Sequence, residues 1–154
     1  MKKGFRQLLL VIVIVTGSVL TSNAQEIGVR FGGTNGAGGA AIDAVFGSGS
    51  GRKHIDVGFY NDGVGVDLLW DFVCKPLAGE SFNWYLGAGP TTLIGDTFWL
   101  GICGEAGLEY RFSKLPIAAG VDWRPTFWII DDTKFGADSF GLNVRWVFGG
   151  RKNK

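Results

Sequence analysis

From Glu26 to Phe148 the chain repeats one device: apolar side chains on every second position, with glycine, small or charged residues between them. In "GLNVRWVF" the apolar set is Leu142, Val144, Trp146 and Phe148, and Gly141, Asn143 and Arg145 fill the gaps. A period of two belongs to a strand with one apolar face. The same alternation predicts strands at 26–33, 39–46, 54–60, 64–72, 82–89, 100–112 and 117–127, with the eighth running from Phe140. Short turns fall at "TNG", "GSGSG", "NDG" and "SKLP", whose Gly, Asn, Asp and Pro suit tight reversals. Longer connections fall at "CKPLAGES", "PTTLIGDT" and "WIIDDTKFGAD". No segment carries a sustained helical period. Eight strands joined in this way predict an all-β fold, an eight-stranded antiparallel up-and-down β-barrel.

Alternation does not say which medium the apolar face meets. A soluble barrel hides that face around a ligand, whereas a membrane barrel turns it to acyl chains. Three features favour lipid and a transmembrane barrel. Lys75, Lys114, Lys134, Lys152 and Lys154 lie in turns, loops or the tail, and Lys53 opens a strand. The water-facing side of a soluble barrel carries lysines along its strands. The second face alternates glycine with charges of both signs: Arg30, Asp43, His54, Asp56, Asp67, Asp71, Glu105, Glu109, Arg111, Asp122, Arg124 and Arg145. In a barrel only wide enough for side chains to fill, such charges must pair. Finally, the aromatics sort by height. Phe31, Phe59, Trp99 and Trp128 fall near one end of the barrel. Trp70, Trp84, Tyr110, Trp146 and Phe148 fall near the other, and aliphatic residues lie between. These nine are the expected membrane-interface aromatics. Trp123 falls nearer mid-height than either belt.

The first residues, "MKKGFRQ" then "LLLVIVIV" then "TGSVLTSNAQ", have the basic, apolar and small-residue regions of a secretory signal peptide. The expected division is therefore a signal peptide over 1–24 and the barrel domain over 25–154, exported through the Sec pathway to the outer membrane. Removing Lys2, Lys3 and Arg6 shifts the formal charge from +1 to about −2, which offers nothing to nucleic acid. The sheet must close on itself in hydrocarbon, so strand eight is expected to ladder with strand one.

Chemical motifs are sparse. His54 is the only histidine, and Ser48 and Ser50 sit in a turn away from any outer-leaflet substrate. Its expected role is in the charge network, without catalysis. Cys74 and Cys103 fall by parity on opposite faces of non-neighbouring strands and are expected as unpaired thiols. No Cys/His spacing suggests a metal, and no cofactor is expected. "GSGSGRK" and "GAGGAA" mimic phosphate-loop and dinucleotide spacings but lie in turn and strand contexts. Asp131 and Asp132 form an acidic pair on the last loop, read as solvated.

The stretch "GLEYRFSKLPIAAGVDWRP", Gly107 to Pro125, together with the terminal "GLNVRWVF", resembles small eight-stranded outer-membrane β-barrel proteins of the OmpX and OmpA-barrel type. It looks nearest to the porin-family barrels found in Bacteroidetes. Ser139, Gly141, Val144 and Trp146 resemble a barrel-assembly signal, although the chain continues through "GGRKNK". The resemblance implies insertion by the outer-membrane assembly machinery, with outer-membrane lipids as neighbours. The expected role is structural or surface-interacting and non-catalytic. The alternatives are a narrow porin-like channel, then a soluble exported ligand-binding barrel or a lipid-A-modifying enzyme.

Overall fold

The computed structural model describes residues 24–34, 37–60, 63–79, 81–130 and 133–148. The expected signal peptide, apart from Ala24, lies outside the described residues, as do Asn35, Gly36, Asn61, Asp62, Glu80, Asp131, Asp132 and 149–154.

Ten strands are described: β1 (Ala24–Thr34), β2 (Ala37–Phe46), β3 (Arg52–Tyr60), β4 (Gly63–Ala78), β5 (Phe82–Gly95), β6 (Phe98–Arg111), β7 (Ile117–Trp123), β8 (Thr126–Ile130), β9 (Lys134–Gly136) and β10 (Phe140–Val147). Neighbours in sequence pair antiparallel from β1 to β7; β7 then pairs with β10, and β10 with β1. The sheet is thus a closed eight-stranded antiparallel barrel. The seam runs from Glu26 opposite Val147 to Gly32 opposite Gly141 without a slip. Closure satisfies every ladder that an open edge would leave bare, as hydrocarbon requires.

Strands β8 and β9 are continuations. After Trp123 the chain breaks at Arg124-Pro125, where proline withholds an amide proton. It then resumes beside β6, with Cys103 opposite Thr126 and Ile102 opposite Phe127. Gly104 N donates to Pro125 O across the break at 2.8 Å. The expected loop "WIIDDTKFGAD" is therefore largely a hairpin, β8 pairing with β9 through Trp128 opposite Lys134. Likewise "PTTLIGDT" is mostly strand: Pro90–Ile94 ladders with β6 from Ile102 to Phe98. At the other end "CKPLA" belongs to β4, carried past two bulges between Asp71/Val73 and Pro76/Ala78. Turn-forming residues inside strands masked these extensions in the sequence.

The "GSGSG" turn bends through glycine: Gly47, Gly49 and Gly51 have φ of 83°, 64° and 93°. Those left-handed angles disfavour other side chains, so the segment is a tight reversal between β2 and β3.

Burial runs inside out. The large apolar side chains Phe31, Ile42, Leu68, Ile102, Val121, Leu142, Val144 and Trp146 are exposed around the outside. The fully buried side chains include Arg52, Arg145, His54, Glu109 and Asp43. β1, β2 and β3 contain 11, 10 and 9 residues, the ~9–11 that a tilted strand needs to cross a bilayer. No helix among the described residues is long and apolar enough to cross a membrane.

Two expected interface aromatics require correction. Trp128 is 2% exposed, and it meets Trp99 edge-on at 5.8 Å. With Ile102 and Phe127 facing out, residues one or three positions away face in. Trp99 and Trp128 share the height of the belt but not its face. Phe31, Trp70, Tyr110, Trp146 and Phe148 are exposed, while Phe59 and Trp84 are half-buried. Trp123, opposite Phe140 and stacked on it at 6.4 Å, donates its indole N–H to the carbonyl of Ala137 at 2.7 Å, in the segment between β9 and β10.

Candidate functional site

Among the described residues, chemistry-bearing side chains converge in the lumen. Each strand contributes through its inward parity, and glycine makes the room. A side chain on Gly107 would run into the Tyr85 ring, and one on Gly141 would run into the Arg30 guanidinium. In a barrel this narrow, every long inward side chain needs such a gap beside it.

Two charge clusters fill the interior. At the end where β1 begins, Arg145 is the hub. It donates through Nε to Glu26 and through Nη1 to Asp43, each at 2.9 Å, and through Nη2 to Glu109. Glu109 also accepts from Arg52 Nη1 at 3.0 Å and from Arg111 Nε at 2.7 Å. Arg111 reaches Glu26 as well. Arg52 Nε donates to Asp71 at 2.8 Å, and its guanidinium lies 4.9 Å above the Tyr85 ring centre. Tyr85 stacks in turn on His54 at 5.9 Å.

Toward the opposite end Arg124 is the second hub. It donates to Glu105 from Nη2 at 2.7 Å and from Nε at 3.0 Å. Its Nη1 lies 2.9 Å from Asp56 and 3.4 Å from Asp67. Arg30 forks onto Asp122 through Nε at 2.8 Å and Nη2 at 2.5 Å, and Asn143 donates to the same carboxylate at 2.9 Å. Arginine's rigid, multiply donating head suits this sharing in a way lysine's single ammonium does not. No lysine among the described residues takes part in these clusters.

All twelve charged residues singled out from the sequence face this interior and join its contacts. Glu26, Arg52, Tyr85 and Asn143 also line the interior; Asn143 and Tyr85 lie on the inward parity but carry no charge, Glu26 heads its strand, and Arg52 adjoins the glycine turn. Counting alternate positions outward from Arg30 and from His54 would have found Glu26 and Arg52. Cys74 also corrects the sequence reading. The bulge at Phe72 resets the register so that Cys74 lies opposite Tyr85, on the inward side, as Cys103 does. Both thiols are free.

Among the described residues no serine joins His54 in a triad. Its ring nitrogens face Asp71 at 3.0 Å and Asp43 at 3.5 Å, while Ser48 and Ser50 are exposed in the β2–β3 turn. The sequence spacing suggested no metal ligands, yet His54 brings ligand-type atoms together in two groups, one with Asp43 and Asp56 and one with Asp71 and Glu105.

No protein-family model matches the chain, and no curated protein matches it either. Among solved structures it is similar to the N-terminal β-barrel domain of Pseudomonas aeruginosa OprF. The TM-score is 0.62 at 20% identity, over 82% of this chain and 98% of that domain. The fold is therefore shared with an outer-membrane barrel of the eight-stranded type.

Proposed function

We propose that this protein is an integral outer-membrane β-barrel with a structural or surface-interacting role, non-catalytic, whose lumen is closed by its own ion pairs. The supporting observation is the arrangement of Arg145 and Arg124, each fully desolvated and each touching three or more carboxylates across the bore. These side chains span from strand to strand and occupy the space that a permeating ion would need. Breaking one buried pair costs on the order of 3–5 kcal/mol, so thermal fluctuation opens such a plug rarely. The apolar outer face would meet outer-membrane lipids, and the last strand would engage the assembly machinery.

Planar-bilayer recording of the purified protein tests the plug. The expected result is the absence of sustained unit conductance at any voltage. A stable open level would instead support the second reading, a narrow porin-like channel, which draws on the same charge pairs as exchangeable gates. Among the described residues no serine or threonine hydroxyl is hydrogen-bonded to His54; unchanged lipid-A mass spectra in cells with and without the protein would agree with a non-catalytic role.

A further inference from the structure

The register places three aspartates side by side on the inner face: Asp43 opposite Asp56, and Asp56 opposite Asp67. Directly opposed like charges on neighbouring strands repel. The surrounding charge balance does not cancel them. The lumen gathers the carboxylates of Glu26, Asp43, Asp56, Asp67, Asp71, Glu105, Glu109 and Asp122 against the guanidiniums of Arg30, Arg52, Arg111, Arg124 and Arg145. Acids outnumber arginines, and the surplus is concentrated around His54.

The hydrogen bonds there stop short. His54 is 1% exposed and Asp56 2% exposed. His54 Nδ1, Asp43 Oδ1 and Asp56 Oδ1 have no hydrogen-bond partner, and Asp56 Oδ2 has only its ion pair with Arg124 Nη1 at 2.9 Å. On the other side of the ring, Nε2 lies 3.0 Å from Asp71 Oδ2. A carboxylate only accepts, so that bond puts a proton on Nε2, and in the neutral imidazole it leaves a lone pair on Nδ1. That lone pair then points at Asp43 Oδ1, 3.5 Å away. With the ring neutral, acceptor faces acceptor in a buried site, an arrangement relieved either by a second ring proton or by a metal cation between them.

We propose that Asp43, His54 and Asp56 form a divalent-cation site in the barrel lumen. Their ligand atoms lie within 4.8 Å of one another, close enough for small side-chain rotations to bring them onto one ion. One imidazole nitrogen with two carboxylates is a donor set for zinc or a similar first-row ion. Asp71 holds the imidazole from behind through the other nitrogen, the outer arrangement usual for a metal-bound histidine. The ion would join β2 and β3 at the level of the aspartate row and offset its surplus charge.

The test uses the full chain, expressed without a histidine tag so that His54 remains its only histidine. The folded protein in detergent is stripped with chelator, equilibrated with Zn²⁺ and assayed for bound metal. The expected result is one zinc per barrel. Binding should weaken by about tenfold or more in His54→Gln and in Asp56→Asn. It should persist in Asp122→Asn, which removes the same charge from the Arg30 pair. Absence of zinc from the wild type, or equal loss in all three variants, overturns the site. Should the variants fail to fold, nitrogen NMR of the wild type decides, with the His54 resonance read before and after Zn²⁺. A shift at Nδ1 on adding zinc supports the site. Two protonated ring nitrogens that ignore zinc would mean that an imidazolium alone bridges Asp43 and Asp71, and would refute it.

Discussion

Charge inside and glycine beside it govern this molecule residue by residue. Arg145 ties together Glu26, Asp43 and Glu109, which belong to β1, β2 and β6. Arg145→Ala takes the arginine donor from buried Asp43 and leaves Glu26 and Glu109 with only Arg111 and Arg52. It should destabilise the barrel by on the order of 3–5 kcal/mol, read from urea unfolding in lipid vesicles; a change under about 1 kcal/mol would mean that the network carries little of the stability. Gly107 tests the complementary requirement. The methyl of Gly107→Ala meets the Tyr85 ring, so this variant should melt below the wild type, and Tyr85→Leu in the same chain should recover part of the loss. The double-mutant cycle measures that coupling. Most of the inward charges were legible because parity is a strict rule within an unbroken strand. Parity fails where a bulge intervenes: Cys74 lies past the irregularity at Phe72 and so changes face. Trp99 and Trp128 show the opposite failure, in which height was weighed and parity left aside.

At the scale of elements, the seam between β1 and β10 makes the sheet a barrel. Its register pairs Val29 with Val144. Replacing both by cysteine, in a chain whose Cys74 and Cys103 are serine, should allow a short bifunctional thiol reagent to join them. The product would run as a single, faster-migrating species under denaturing electrophoresis. A Val29→Cys/Trp123→Cys pair, one strand further round, should link poorly. Equal yields would mean that the seam is not fixed. The number and order of strands could be read from the alternating segments, whereas their lengths could not. Pro90 and Pro76 look like loop residues in one dimension, yet each lies inside a strand with paired neighbours. Proline's missing donor is tolerated there because the β4–β5 pairing lapses beside Pro90, between Asp67/Thr91 and Trp70/Ala88, and because Pro76 adjoins the Pro76/Ala78 bulge. The Arg124-Pro125 break likewise splits a single sequence segment into β7 and β8.

For the whole molecule the decisive fact is the inversion of polarity, with ion pairs inside and Leu142, Val144 and Trp146 outside. Water would penalise that outer face at ~25 cal/mol for each Å² exposed, while acyl chains would not. The outer aromatics strengthen the assignment. Trp70, Phe72, Tyr110, Phe112, Trp146 and Phe148 gather near one rim and Phe31, Phe98, Phe127, Phe135 and Phe140 near the other. Both sets are exposed, as the two interfaces of a bilayer favour. The most direct measurement is lipid quenching of single-tryptophan variants in vesicles containing brominated acyl chains. With Trp146 alone retained, fluorescence should fall strongly. With Trp128 alone, buried against the inner face, it should change little. Strong quenching of Trp128 together with indifference of Trp146 would contradict the account, because it would put lipid-like neighbours on the wrong side of the wall.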